Sequence, residues 1–301
     1  MRMSRTPMPR GEWIAHEAAH AARADAATAG HLARRASGAK HPVEDFLFEY
    51  YNFTPGKLRR WHPGPGVTLA DAADTPRAHW PGYVSDDDGS VRLDVPAFVA
   101  RRGGTIDFTR QLLRATASRP GFTGCFGLHE WAMVYRLAPE QIRHAAYPLR
   151  LSPKDTDTVV EAHTIRCSHF DAFRFFTQDA LARNTIQPTR DTQVANEQPG
   201  CLHAGMDLYK WAHKLTPLTP GDILLDAFDL ARDLRTLDMQ ASPYDLADLG
   251  YPPLRIETPE GKAEYAARQR AFAERSNALR LRLLAVLDDV AEATSKVHDT
   301  P

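Results

Sequence analysis

The chain of 301 residues is long enough for one large domain or two smaller ones, and its 43% hydrophobic content supports a well-buried core. The net charge of −1 gives the whole molecule no long-range attraction for DNA or an anionic membrane. No apolar run approaches the roughly 18 residues that cross a bilayer, and the N-terminus lacks the apolar segment of a secretory signal. Cys125, Cys167 and Cys201 form no CxxC pair, which argues against a zinc knot and favours reduced thiols, so we expect a cytoplasmic protein.

The first half of the chain predicts two helices, a long loop and a short strand. Residues 11–36 are rich in alanine and predict a helix that ends at Gly38. The segment HPVEDFLFEYYNF, residues 41–53, carries proline and acidic residues at its start and predicts a buried helix. Pro, Gly and Asp dominate residues 62–90, which predicts a loop, and the alternating VRLDV of residues 91–95 predicts a strand.

The second half predicts a hairpin followed by helices. PLRLS at residues 148–152 and VVEAHTIRC at residues 159–167 flank a polar turn and predict two paired strands. Ser168 and Asp171 have the spacing of a capping box, which predicts a helix through residues 170–182. Further helices are predicted over residues 201–215, over residues 220–239, and from Thr258 for about 30 residues, which is roughly 45 Å.

These elements predict a mainly α fold with a small β component of one or two short hairpins. No internal repeat and no persuasive linker divides the chain, so we expect a single globular domain over residues 11–293. A long C-terminal helix is expected to brace this domain. We expect flexible segments at residues 1–10 and 294–301.

The stretch GCFGLHEWAMVYRL, residues 124–137, places two ionisable groups in apolar surroundings. His129 and Glu130 are neighbours in a run that is otherwise apolar from Cys125 to Tyr135. Burying an unpaired carboxylate or imidazolium costs several kcal/mol, so each group needs a hydrogen-bond partner, an ion or a substrate. Arg174, which is flanked by phenylalanines, is one candidate partner for Glu130.

The segment CLHAGMDLYKWAHKL, residues 201–215, predicts a helix with one polar stripe. His203, Asp207, Lys210 and Lys214 are spaced by four, three and four residues, opposite an apolar face. His203 and Asp207 are therefore expected to touch. One interpretation is an ordinary amphipathic helix, and the other is a carboxylate that orients an imidazole, with Lys210 available to bind an anion.

Histidines and carboxylates also suggest a metal site. Glu161 and His163 are two apart on a predicted strand and would share a face. Nitrogen and oxygen ligands from separate elements suit iron, manganese or zinc if they converge, and the candidates are His129, Glu130, Glu161, His163, His169, Asp171, His203 and Asp207. The ligands we favour for this alternative are His129, Glu130, His169 and His203. The HExxH pattern at residues 16–20 lies too close to the start of the chain to predict a metalloprotease.

Five long segments carry a resemblance to a known group of proteins. They are HPVEDFLFEYYNFTPGKLRRWHPG, GCFGLHEWAMVYR, CSHFDAFRFFT, EQPGCLHAGMDLYKWAHKL and LDMQASPYDL. In these segments the sequence resembles bacterial proteins of similar length, mainly actinobacterial, that carry the label 3-methyladenine DNA glycosylase. The similarity covers residues 12–285. The resemblance implies excision of alkylated bases, with DNA or a nucleobase-containing ligand as partner.

Base excision requires a carboxylate, aromatic faces for the flipped base and cations for the backbone. Under this hypothesis Glu130 or Asp207 is the catalytic carboxylate, oriented by His129 or His203, and no cofactor is needed. The residues expected to bind the substrate are Tyr50, Tyr51 and Trp61 around the base, with Lys57, Arg59, Arg60, Arg174 and Lys210 for phosphate.

The sequence thus leaves three hypotheses open. The first is a DNA or nucleobase glycosylase with a buried cluster of histidines and carboxylates. The second is a metal-dependent oxygenase or hydrolase that uses iron, manganese or zinc. The third is a binding or scaffold protein with a buried polar network and no turnover.

Overall fold

A computed structural model describes residues 6–142 and 147–298 of the chain, without the side chains of residues 139 and 295–298. The predicted flexible segments at residues 1–10 and 294–301 therefore lie partly outside the described residues. Where they are described, the first helix begins at Arg10 and the last one continues to His298.

The prediction of a mainly α fold is confirmed, because helices make up most of the described backbone. The helices are α1 (Arg10–Ser37), α2 (Phe46–Tyr50), α3 (Pro55–Leu58), α4 (Val95–Ala117), α5 (Leu128–Ala132), α6 (Pro153–Glu161), α7 (Phe170–Phe173), α8 (Gln178–Leu181), α9 (Gln193–Asn196), α10 (Leu202–Lys214), α11 (Gly221–Gln240) and α12 (Pro259–His298). Within the described part of the chain, no helix is long and apolar enough to cross a membrane.

The β component is one small antiparallel sheet. It consists of β1 (Thr68–Leu69), β2 (Tyr83–Ser85) and β3 (Val91–Leu93), in the order β1-β3-β2. The predicted strand at VRLDV is confirmed as β3. The predicted loop over residues 62–90 is wrong in part, because β1 and β2 lie within it. Strands of two or three residues are too short for an alternating pattern to reveal them.

The backbone divides into two compact units. Unit 1 comprises the described residues of Met1–Leu113, Leu208–Asp229 and Leu279–Pro301. Unit 2 comprises Arg114–Asp207 and Leu230–Ala278.

One face of α1 is buried in unit 1. Gly38 ends this helix in the left-handed conformation, with φ of 73°, as its position in the sequence predicts. Arg77 is buried, donates to Glu17 at 2.6 Å and lies over the rings of Trp80 and Trp61. His20 donates from Nε2 to the backbone carbonyl of Leu58. Glu17 and His20 of the HExxH pattern are therefore engaged in core contacts.

The predicted helix over residues 41–53 is shorter than expected. Only Phe46–Tyr50 form α2, and the preceding residues make a turn stabilised by Asp45. This buried carboxylate accepts hydrogen bonds from Arg34, from His31 and from the backbone N–H of His41. Asp45 therefore stabilises a tertiary turn instead of a longer helix.

The predicted hairpin over residues 148–167 is wrong, because its second half is the helix α6. Ser152 is the N-cap, with its hydroxyl accepting from the N–H of Asp155, and Pro153 occupies the first helical position. These start signals outweigh the strand preference of the valines and threonines. Glu161 is therefore the last residue of α6 and His163 follows the helix, so the prediction that they share a strand face is wrong. Glu161 accepts from the hydroxyl of Tyr135 at 2.8 Å.

The predicted helix over residues 170–182 is interrupted. It consists of α7 and α8, and Thr177 caps the second by accepting from the N–H of Ala180. The N-cap of α7 is His169 and not Ser168, and no side chain caps the helix. The proposed capping box of Ser168 and Asp171 is therefore also wrong. The side chain of His169 is used elsewhere, as described below.

The helices predicted near the C-terminus match α10, α11 and α12. Thr258 caps α12, because its hydroxyl accepts from the N–H of Gly261 at 3.1 Å. The helix has 40 residues, or roughly 60 Å, against the 45 Å expected from the sequence. The 23-residue helix α4 was not predicted, since Gly103 and Gly104 interrupt its pattern.

Candidate functional site

The short helix α5 brings His129 and Glu130 into the interior of unit 2. It starts directly after Phe126 and Gly127, whose positive φ values of 45° and 70° turn the chain sharply. Trp131, which is fully buried, anchors it by donating from Nε1 to the carbonyl of Ala241 at 2.9 Å. His129 and Glu130 are only 5% and 7% exposed, so both side chains are buried and each needs a partner in the interior.

The partners of these two side chains come from α11. Asp238, which is fully buried, accepts a hydrogen bond of 2.8 Å from Nε2 of His129. Arg235, one turn earlier on the same helix, donates to Oε1 of Glu130 at 3.2 Å and to Oδ2 of Asp238 at 3.0 Å. The proposed pairing of Glu130 with Arg174 is wrong.

Arg174 has a different environment within unit 2. Its Nε lies 3.3 Å from Oδ1 of Asp171, and its guanidinium lies 4.4 Å from the centre of the ring of Phe175. The side chain is 42% exposed, so it satisfies its charge near the surface and not in the core.

His203 completes the group around His129. Its ring centre lies 4.5 Å from that of His129, in an edge-to-face arrangement. One ligand atom from each of His129, Glu130, His203 and Asp238 lies within 4.8 Å of the others. We call these four residues the Asp238 cluster.

A second group, the Asp207 cluster, consists of His169, Glu197 and Asp207. Nε2 of His169 lies 3.1 Å from Oδ2 of Asp207 and 3.6 Å from Oε1 of Glu197, and all three side chains are buried. The rings of His169 and His203 are stacked, with centres 5.3 Å apart. The helical spacing predicted a contact between His203 and Asp207, whereas Asp207 bonds His169.

The electrostatics of the Asp238 cluster follow from burial and close charges. Burial opposes the charged imidazole of His129, but the Asp238 carboxylate outweighs it, and the pKa of His129 is raised. Burial and then the charge of Asp238 raise the pKa of Glu130. Burial and the neighbouring His129 lower the pKa of His203 well below its ordinary value. His203 therefore presents a neutral ring whose nitrogen can bind a metal ion.

Asp238 carries the negative charge of the cluster. Burial acts to raise its pKa, but His129, followed by His203 and Arg235, lowers it below the ordinary value. Asp238 is therefore ionised at neutral pH. Its two oxygens face different cations, since one accepts from His129 and the other from Arg235.

A cavity of about 10 Å³ adjoins the Asp238 cluster and is the size of one water molecule. We call it the thiol cavity, because Cys125, Cys167 and Cys201 line it together with His129 and His203. The three cysteines are free, and burial raises the pKa of each thiol. Residues about 40 apart in the sequence thus surround one small space.

The residues predicted to bind a nucleic-acid substrate lie mostly in unit 1, and they differ in burial and in their contacts. Tyr51 and Trp61 are buried in its core, and Tyr50 stacks on the ring of Phe46. The environments of the cations differ as well. Arg59 forms an ion pair with Asp25 at 2.8 Å, and Lys57 is exposed. Arg60 lies 5.4 Å from the ring centre of Trp80, and Lys210 lies 4.6 Å from the ring centre of Trp211.

Sequence reasoning missed Asp238, Arg235 and Glu197. In LARDLRTLDM, Arg235 and Asp238 share the helical face with Leu234 and Leu237, all of them buried. Charged residues three apart on the apolar face of an amphipathic helix were the available signal. No comparable pattern marks Glu197.

Comparison with known proteins gave no match. No protein-family model matches the chain, and neither a curated protein nor a solved structure does. The functional argument therefore starts from the geometry of the Asp238 and Asp207 clusters.

Proposed function

We propose that the protein is a metal-dependent enzyme whose metal ion is held by the Asp238 cluster. The observation that carries the proposal is that one ligand atom from each of its four residues lies within 4.8 Å of the others. Four ligands placed tetrahedrally around an ion, with bonds of about 2.1 Å, are roughly 3.4 Å apart. A pair of ligand atoms separated by the full 4.8 Å would therefore have to approach by about 1.4 Å when an ion binds.

The charges of the cluster favour a cation. Glu130 and Asp238 are two buried carboxylates, and Arg235 is the cation that contacts both of them. Without a metal ion, the positive charge beside Asp238 comes from His129, whose pKa is raised. A metal ion would displace the proton of His129 and supply the positive charge in its place. Two imidazole nitrogens and two carboxylate oxygens suit iron, manganese or zinc.

Two features favour the Asp238 cluster over the Asp207 cluster. It offers two imidazoles instead of one, and both His129 and His203 line the water-sized thiol cavity. That space supplies the open position that a catalytic ion requires beside its protein ligands. A bound ion would polarise a water molecule or another small ligand there, which is the chemistry of metal-dependent hydrolases and oxygenases.

The surrounding residues would hold these ligands in place. Arg235 fixes Glu130 and Asp238 through two hydrogen bonds. His169, held by Asp207, stacks on the ring of His203 and restricts its orientation. Partners outside the ligands are expected to orient them in this way.

Base excision, which the sequence resemblance implies, stays a prediction. Glu130 and Asp207 are buried carboxylates of the type that this chemistry needs. The thiol cavity beside His129 has room for a water molecule but not for a base, so excision there would require the cavity to open. Incubating methylated duplex DNA with the protein and measuring released 3-methyladenine tests this activity. Equal release by a Glu130→Gln, Asp207→Asn double variant would count against it.

The metal proposal is tested by reconstitution and elemental analysis. The protein is purified without chelator, loaded separately with Fe²⁺, Mn²⁺ or Zn²⁺, desalted and analysed for bound metal. We expect about one ion per chain for at least one of these metals. His203→Gln should lose the bound ion, because this variant removes one of the proposed ligands. Loss of a residue that only orients a ligand lowers metal affinity by roughly 10–100-fold, and loss of a ligand itself costs more.

His169→Gln is the matched control, since it removes a neighbouring buried imidazole from the Asp207 cluster. It is expected to keep stoichiometric metal, with affinity reduced at most about 10–100-fold. Substoichiometric metal on the wild-type protein under all three conditions would overturn the proposal. Full occupancy in His203→Gln, combined with loss in His169→Gln, would assign the ion to the Asp207 cluster.

A further inference from the structure

Unit 1 contains a separate open cavity that the proposed metal centre does not use. Its volume is about 380 Å³, which is within the range of sites for small ligands. Its walls come from the segment of Asn52 to His62, from Trp80, from Arg102 on α4 and from the end of α10. We call it the Trp80 cavity.

The charge of this cavity is one-sided. Lys57, Arg60, Arg102 and Lys214 line it, and none of the described residues that line it is acidic. In the described part of the chain, Lys57, Arg60 and Arg102 have no ion pair with a carboxylate, although exposed arginines elsewhere in unit 1 do. Neighbouring Arg59 illustrates the difference, because it pairs with Asp25 at 2.8 Å. Clustered cations without such partners attract an anion.

Aromatic rings lie among these cations. The guanidinium of Arg60 lies 5.4 Å from the centre of Trp80, and the ring of Phe53 stacks on His213 at 4.8 Å. The edge of His62 meets Trp80, with ring centres 5.8 Å apart. Flat faces next to cations are suited to a ligand that combines an aromatic ring with a negative group.

We infer that the Trp80 cavity binds a mononucleotide-type ligand, whose phosphate contacts Lys57, Arg60 and Arg102 and whose base packs against Trp80. The size of the cavity corresponds to one such molecule. A long nucleic acid is less favoured, because the chain has a net charge of −1 and a polyanion needs a continuous basic track. This inference does not depend on the metal centre.

The test uses calorimetric titration of the full-length protein at low salt. The probes are AMP, GMP, CMP and UMP, with inorganic phosphate, adenosine and a single-stranded oligonucleotide as comparisons. We expect at least one mononucleotide to bind with a dissociation constant below about 1 mM, and phosphate and adenosine to bind at least about tenfold more weakly.

Two variants of adjacent exposed arginines locate the site. Arg60→Gln should raise the dissociation constant about tenfold or more, which is the effect of losing one charge-assisted hydrogen bond. Arg59→Gln removes the same charge from the next residue but leaves the cavity lining intact, and should change the constant less than about twofold. Both side chains are exposed, so both variants are expected to fold.

Each alternative outcome contradicts the inference in a distinct way. Absence of saturable binding for all four mononucleotides overturns it. Equal affinity for inorganic phosphate and the mononucleotide removes the role of the base. Tighter binding of the oligonucleotide, lost in Arg60→Gln, would assign the cavity to a nucleic-acid strand. Equal effects of Arg59→Gln and Arg60→Gln would reveal unspecific attraction to the surface.

Discussion

Replacing His62 by glutamine is expected to make the stability of the protein less dependent on pH in the acid range. His62 is 7% exposed, and its Nδ1 shares a hydrogen bond of 2.9 Å with the hydroxyl of Tyr83. Burial, followed by the charges of Arg77, His20 and Arg60, lowers the pKa of His62 from 6.5 to about 3. The folded protein therefore keeps this imidazole neutral.

The size of the effect follows from the two pKa values. Because the folded pKa lies below the unfolded value of 6.5, the unfolded chain binds more protons as the pH falls from 6.5 towards 3. The contribution of His62 to stability is complete above the unfolded pKa and is lost at about 1.4 kcal/mol per pH unit below it. The loss reaches about 2 kcal/mol near pH 5.

Urea unfolding followed by tryptophan fluorescence, between about pH 7.5 and pH 5, measures this loss. We expect His62→Gln to lower the free energy of unfolding at neutral pH, and to lose about 2 kcal/mol less than wild type on acidification. Tyr83→Phe is the control, because it removes the hydrogen-bond partner and keeps the imidazole, and should retain the wild-type slope. Equal slopes for His62→Gln and wild type would refute the reasoning.

The remaining predictions concern backbone space and the buried ion pairs. Gly261→Ala should destabilise by about 1–3 kcal/mol or more, because a Cβ there would overlap the backbone carbonyl of Arg255, and thermal unfolding with an unchanged midpoint would contradict this. Gly103→Ala, in open space within α4, should instead stabilise by about 0.5–1 kcal/mol in the same measurement. Asp238→Asn should cost the metal-free protein about 3–5 kcal/mol in urea unfolding, since the charge of Arg235 loses a buried partner, and a loss below about 1 kcal/mol would show that the pair is dispensable.

Local signals in the sequence predicted the elements whose ends are fixed by neighbouring residues. Gly38 at the end of α1 and Thr258 at the start of α12 are examples, because both act through backbone atoms a few positions away. The start of α6 carries equally local signals in Ser152 and Pro153, but the branched residues that follow favoured a strand. The wrong prediction gave the strand preference of the branched residues more weight than the helix-start signals. In the structure the N-cap at Ser152 decides for a helix.

The candidate site depended on contacts that one sequence does not reveal. Burial of His129 and Glu130 is apparent from their apolar neighbours, and a requirement for partners follows from it. The identity of those partners does not follow, since Asp238 is 109 positions from His129. Arg174 and Arg235 are equally suitable for Glu130 in chemistry, and only the tertiary fold distinguishes them.

The thiol cavity provides a way to observe how the interior of unit 2 is reached. Enclosed thiols react with a thiol-specific reagent only when the surrounding structure opens, because the reagent needs both access and a thiolate. Labelling of Cys167, the buried one of the three cysteines, in the native protein therefore reports the frequency of that opening. Since His129 and His203 border the same space, the labelling rate sets a lower limit on how often molecules larger than water arrive beside them.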